Sequence, residues 1–415
     1  MADTGSPVRG RPGAAGGPSG DGAPTGYRVL LADPRARRMV VASLLSKFPI
    51  SMITISVLLL AYRHHSYATA GVTLSCMLIA GAITAPVRGR MVDRHSPRTM
   101  LPIMLAAYLA ALAGLAWTAT TGAPAPLMLG FAALVGAVLP PVNILMRTLW
   151  RLVATEDTLV SAISLESMLM DLTLVTGPAL ATWLSLSVAP AMPLLVCALS
   201  IGVATFLVRG LSGALPVVAR PKGGHWFGPL RSAPLRRVFI AYFVFCTGLN
   251  AIEVALPLYA RHHDATGYTG IYLGTIAVGS ILGALALGAL PRALPARRRL
   301  PLLLTAYAVG TALLALAAGL SPVVLLIVCP VAGLAIGSTF AAIMMASGSL
   351  APRGFENETQ GWNSSLLQVG AAAGATASSS LAAAHGSLTV LSLVPVVIAL
   401  AAATVWSVGV GPARD

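Results

Sequence analysis

Twelve apolar runs, each 17 to 27 residues long, follow one another along the chain, separated by short polar or basic breaks. The first six cover residues 39–61, 67–87, 99–118, 126–146, 159–185 and 192–208. The second six cover 238–260, 270–290, 300–320, 323–347, 360–384 and 388–408. Most lack the polar stripe at a 3.6-residue period that a helix on the surface of a soluble domain carries. A helix needs roughly 20 apolar residues to cross a bilayer, so the runs are predicted as membrane-spanning helices, spans 1 to 12. Span 11 gives the weakest signal, being rich in Ala, Gly and Ser.

Composition excludes a soluble chain. Hydrophobic residues make up 56% and charged residues only 10%, against about 25% charged in soluble domains. Cytoplasmic breaks between spans carry an excess of Lys and Arg. With an inside amino terminus, 24 of the 27 Lys and Arg fall inside, Arg63 and Arg261 fall outside, and Lys47 lies within span 1. Both termini are therefore predicted to be cytoplasmic, in a multi-pass protein of the cell membrane. The charge of +14 is then a topology signal, and no nucleic-acid partner is needed to explain it. Residues 1–26, rich in Gly, Pro and Ala without an apolar run, read as a disordered tail and not a signal peptide. Cys76, Cys197, Cys246 and Cys329 all lie in apolar runs and read as core thiols, not a disulfide framework.

The order of the runs contains a repeat. Arg-His-His occurs in "AYRHHS" at 61–66 and in "YARHHD" at 259–264, 198 residues later. Arg38 and Arg236 precede spans 1 and 7 at that same offset, and Gly89 and Gly288 close spans 2 and 8 at 199. An internal duplication into two six-helix bundles, 27–208 and 237–409, accounts for this, with 209–236 as cytoplasmic linker and 410–415 as tail. Repeats of this kind place a substrate site between the halves near mid-membrane. His64, His65, His262 and His263 lie where spans 1 and 7 leave the membrane and read as interfacial polar groups. They lack the close ligand spacing of a zinc site, so no metal is expected.

After span 2 comes "GRMVDRHSPRTM". It resembles the Gly-x-x-x-Asp-Arg-x-x-x-Arg loop of the major facilitator superfamily, with Gly89, Asp93, Arg94 and Arg98 in place and Ser96-Pro97 departing from the usual pair. The second copy, from Gly288, keeps the glycine and a basic cluster but no acid. Gly89 is read as a tight turn, with Asp93 bonding nearby guanidiniums. The resemblance implies twelve helices in two pseudo-symmetric bundles, and a latch at Gly89, Asp93, Arg94 and Arg98 that closes the cytoplasmic side. A narrower resemblance, to bacterial drug-efflux-like members, rests on "AISLESMLMDLTLVTGPALAT" and "GLNAIEVALPLYA", and loosely on "ENETQGW" before span 11.

Few ionisable groups lie inside the spans, where each is costly and implies a role or a partner. Lys47 is about 13 Å into span 1, Glu166 and Asp171 about 10 and 18 Å from the inner end of span 5, and Glu253 about 24 Å along span 7. One reading is proton coupling, since a carboxylate in a low-dielectric cavity can be protonated near neutral pH; Asp171 is the first choice, Glu253 the second, Glu166 the third. The other is fixed pairing, of Lys47 with Asp171 or Glu166 and of Arg147 with Glu166, and it is preferred for Glu166. Asn143, Asn250 and Arg147 are read as cavity lining. Pro140 and Pro141 read as a packing kink, and Gly177-Pro178 as the end of the inner part of span 5. Gly279-x-x-x-Gly283 and Gly370-x-x-x-Gly374 permit close helix contact, and the family fold implies that they form the seam between halves. Trp117, Trp150, Trp362 and Trp406 read as an interfacial belt.

No phosphate-binding loop, metalloprotease pair or nucleophile elbow is present, so neither an enzyme nor a cofactor is expected. We therefore expect a monomeric secondary transporter in the lipid bilayer, exporting a small molecule against inward proton flow. A uniporter or importer, or a receptor or scaffold on the same fold, is the alternative.

Overall fold

The computed structural model describes residues 26–61, 67–211, 228–263, 265, 268–289 and 296–406. Among these residues there is no strand. The tail before residue 26, most of the linker, the pair His64–His65 and residues 407–415 lie outside the described residues.

A short helix, α1 (Gly26–Ala32), leads into α2 (Pro34–Ala61). The first bundle continues through α3 (Tyr67–Arg94), α4 (Pro97–Thr121), α5 (Ala125–Val138), α6 (Val142–Val153), α7 (Glu156–Ser187) and α8 (Met192–Leu211). The second contains α9 (Ala233–His262), α10 (Thr269–Ala289), α11 (Ala296–Leu320), α12 (Pro322–Ser349), α13 (Glu356–His385) and α14 (Ser387–Trp406). Among the described residues eleven spans are long and apolar enough to cross a membrane, with α5 and α6 counted as one. Span 11 is not among them, yet α13 is a continuous helix of 30 residues. It begins four residues before the apolar run, so "ENETQGW" forms its first two turns and is not a preceding loop.

Span 4 is broken, not kinked. Pro140 and Pro141 lack amide hydrogens and cannot continue the α5 ladder. The carbonyl of Leu139 freed there accepts Arg88 Nη1 at 2.7 Å, while Arg88 Nη2 reaches Gly81 O at 2.9 Å. Arg88, assigned by sequence to a cytoplasmic break, is only 6% exposed. Helix α3 runs through it to Arg94, so the turn anticipated at Gly89 is absent. Nor does Gly177-Pro178 end an inner part of span 5, because α7 is continuous through both. A proline whose freed carbonyl meets other partners is tolerated in a membrane helix.

Within the first bundle α2 packs on α7 and α8, and α5 on α3 and α4. Within the second, α12 packs on α10 and α11, and α9 on α13 and α14. The halves meet mainly through α3 against α13 and α7 against α10. The two small-residue motifs are not in that seam. A Cβ at Gly279 or Gly283 would strike the α12 backbone at Pro330 or Leu334, and one at Gly370 or Gly374 would strike α9 at Phe243 to Thr247. Both motifs join helices of the same bundle. Glycine spacing permits close approach but does not name the partner helix.

Trp117 and Trp406 are exposed, as a belt requires, but Trp150 is 0% exposed and lies in the core. Trp362 is half-buried, with its indole nitrogen turned inward. Gly283→Val places a side chain against Leu334 backbone, and overpacking of this kind costs about 1–3 kcal/mol. Its melting temperature should fall by several degrees, whereas Gly274→Ala, where an added Cβ meets nothing, should leave it unchanged.

Candidate functional site

Helix α13 starts with an unsolved problem of its own. Its first amides have no intrahelical acceptor, and the cap residue, Phe355, makes no side-chain cap bond. Asp93, at the end of α3 in the other bundle, supplies the acceptors. Its Oδ1 takes the Asn357 amide at 3.1 Å and Asn357 Nδ2 at 2.8 Å, and its Oδ2 takes the Glu358 amide at 2.9 Å. This is the geometry of an N-cap aspartate, provided across a bundle interface, with the carboxylate at the positive end of the helix dipole. Gly89 makes the approach feasible, since any Cβ there would overlap the Asn357 carbonyl and the Glu358 backbone.

Arg90, which the motif reading passed over, makes the ion pair of this junction. Its Nε and Nη2 donate to the two oxygens of Glu358 at 3.1 and 2.8 Å, with both residues buried. Arg94 and Arg98 are exposed. Helix α6 adds Thr148, donating to Asn357 Oδ1 at 2.9 Å, and Arg151, donating to the Met344 and Met345 carbonyls of α12 at 3.0 and 2.7 Å. The repeat-related glycine behaves alike. A Cβ at Gly288 would meet the Tyr27 hydroxyl and Ser164, and Ser161 donates to the Gly288 carbonyl. Tyr27 of α1 lies 3.2 and 3.3 Å from the Ala284 and Leu285 carbonyls of α10. The two bundles are thus joined at one end on both sides of the pseudo-symmetry.

Deeper in the first bundle lies a buried ion cluster. Lys47 pairs with Glu166 and donates to Ser43 Oγ at 2.9 Å; Ser43 and Trp150 Nε1 donate to Glu166 Oε2 at 2.6 and 3.1 Å. The fixed pairing anticipated for Glu166 is present with Lys47. The pairing with Arg147 is not: Glu166 bonds Lys47, Ser43 and Trp150, and Arg147 Nε and Nη1 are buried with no hydrogen-bond partner. Asn143 exchanges bonds with Ser46, accepting at 2.8 Å and donating at 3.3 Å, and so ties α6 to α2.

Asp171 sits in the seam itself. It accepts a hydrogen bond from Ser280 of α10, and among the described residues no Lys or Arg forms an ion pair with it. Glu253 lies within electrostatic reach of Asp171. It borders a cavity of about 490 Å³ lined also by Pro257, Leu258, His262, Ser379 and Ala382, in the last turns of α9 and α13, at the end opposite Asp93. Asn250, placed by sequence on the Glu253 face, donates to the Cys246 carbonyl of its own helix at 3.0 Å. Of the seven histidines, the four described, His95, His262, His263 and His385, are exposed, and no group of residues suited to a metal ion occurs among the described residues.

The sequence profile described as Major Facilitator Superfamily matches residues 39–375. Among solved structures, a bacterial homologue of the iron transporter ferroportin in its outward-facing state matches with a TM-score of 0.78 at 15% identity, covering 89% of this chain and 98% of that one. The human organic anion transporter MFSD10 matches with a TM-score of 0.71 at 16% identity, covering 90% and 100%. The E. coli fucose:proton symporter matches with a TM-score of 0.67 at 16% identity, covering 88% and 97%. At these identities the likeness is one of fold. None of the curated protein sequences compared with the chain matches it.

Removing Lys47 alone leaves a buried, uncompensated carboxylate. Lys47→Met should therefore lower stability by about 3–5 kcal/mol, and adding Glu166→Gln should restore most of it in thermal unfolding. For the cross-bundle cap, a cysteine at Thr148 on a cysteine-free background reports opening through water-soluble maleimide. Labelling should rise several-fold in Asp93→Ala, with Asp93→Asn in between, because the amide keeps one acceptor oxygen. Equal labelling with and without Asp93 would show that the cap does not hold this end shut.

Proposed function

The chain belongs to the Major Facilitator Superfamily, and on that premise we propose that it exports a small molecule across the cell membrane by alternating access, driven by inward proton flow. The observation that carries the proposal is Asp171: a carboxylate between the bundles, bonded to one hydroxyl of the opposite bundle and, among the described residues, to no cation. Glu166, by contrast, has its charge matched by Lys47 and its lone pairs filled by neutral donors. A matched carboxylate has no reason to bind a proton, whereas an unmatched one in a low-dielectric seam gains by doing so. Glu166 is therefore structural, and Asp171 and Glu253 are the exchangeable pair.

The direction of the machine follows from charge. The positive-inside rule places the Asp93 end in the cytoplasm. The Asp93 cap, the Arg90–Glu358 pair and the Tyr27 contacts then form the closed cytoplasmic gate, and the cavity at Glu253 faces outward. In this conformation Glu253 takes a proton from the outside and Asp171 holds it at the seam. Rocking of the bundles breaks the Ser280 bond, releases the proton inward and admits substrate.

The measurement is inward proton movement, driven by a pH step, into proteoliposomes that hold the purified protein and are loaded with candidate small-molecule substrates. Asp171→Asn should abolish it, Glu253→Gln should slow it, and Asn143→Ala should leave it near the wild-type rate. Unchanged flux in Asp171→Asn would remove that residue from the mechanism.

A further inference from the structure

Resting on the transport reading above, the structure assigns a class to the substrate: we propose that Arg147 binds the acidic group of an organic anion whose aromatic body lies in the seam. Arg147 is the one polar side chain of the lower face of α6 left without a use. Thr148 bonds Asn357, Trp150 bonds Glu166, and Arg151 bonds two carbonyls of α12. Arg147 Nε and Nη1 are both buried and bonded to nothing.

Charge counting sharpens this. Arg147 lies within electrostatic reach of Lys47 and Glu166, so the locality holds two cations and one carboxylate. That carboxylate already receives a cation and two neutral donors. A guanidinium does not neutralise itself by deprotonation in a protein, and a buried unmatched charge is costly. The surplus is one positive charge with a planar fork of donors, the group best suited to take a carboxylate through two parallel bonds.

Its surroundings name the rest of the ligand. Arg147 also lies within electrostatic reach of Tyr242 and Cys246 on α9 of the other bundle. Tyr242 begins an aromatic cluster: Tyr242 and Phe340 stand edge to face at 5.9 Å, Phe340 and Phe245 at 5.0 Å, Phe245 and Tyr307 at 5.1 Å. Tyr307 in turn lies within reach of Glu253. A cation at one end, an aromatic wall and an acid at the far end orient an aromatic anion with its carboxylate toward Arg147. In the closed arrangement two of the three guanidinium nitrogens are buried and the residue is half-buried; opening α6 away from the other bundle uncovers the rest.

Benzoate, tetraphenylphosphonium and inorganic phosphate serve as probes, read by the melting temperature of the purified protein, because a ligand selective for the folded state raises it. Benzoate should raise it by several degrees in a dose-dependent manner and phosphate by less, with no gain from tetraphenylphosphonium. Arg147→Gln should lose the benzoate shift, and Arg147→Lys, which keeps charge but not the fork, should need several-fold more benzoate. An absent benzoate shift, or an equal one in wild type and Arg147→Gln, overturns the proposal; should Arg147→Gln not fold, an unweakened response in Arg147→Lys does the same. Arg147-dependent benzoate binding without proton flux would instead sink the transport coupling and leave the anion site standing.

Discussion

A helix that begins at an interface inside a membrane protein has amides that lipid cannot satisfy. In this protein the first turn of α13 receives its acceptors from Asp93, on a helix of the other bundle. The remaining contacts of that junction follow. Gly89 has no side chain because the α13 backbone passes where a Cβ would be. Arg90 and Glu358 meet because the cap holds their helices in register, and Asn357, fixed by Asp93, in turn accepts from Thr148. A junction made of a carboxylate, amides and one bidentate ion pair is also reversible, since water can replace each partner when the bundles part, as it could not replace a packed hydrophobic seam.

The intramembrane charges divide by how completely they are matched. Lys47 and Glu166, with Ser43 and Trp150, form a closed set that locks α2, α6 and α7 together. Among the described residues Asp171, Glu253 and Arg147 form no ion pair, and Asp171 lies where one bundle faces the other. Matched charges hold a bundle rigid, and unmatched charges at the seam are where a proton or a charged ligand makes the difference between conformations. Family membership supplies transport and the twelve-helix fold; the proposed coupling rests on the division of charges.

Sequence patterning carried much of this. Apolar runs set by the bilayer thickness marked the spans, and the 198-residue offset of Arg-His-His, with Gly89 and Gly288, exposed the doubling. The motif at Asp93 identified the family, and the rarity of ionisable residues inside spans named Lys47, Glu166, Asp171 and Glu253. Arg90 was missed because a buried ion pair 268 residues apart leaves no local signal. A hint did exist in the acid of "ENETQGW" facing a basic motif, had the two been taken together.

What the sequence determined by itself is everything that depends on the solvent each residue meets: which segments lie in lipid, how many there are, that they come in two sets, and which polar groups are too costly to be accidental. What only the tertiary structure decided is which helix each face meets. Gly279 and Gly370 turned inward within one bundle, Trp150 into the core, Arg88 to a carbonyl left free where α5 ends, and Glu166 to Lys47 and Trp150 in place of Arg147. Hydrophobic pattern records burial, which is a property of one position. Pairing is a property of two positions brought together by the whole fold, and inside a membrane nearly every helix face is apolar enough to pair with several others.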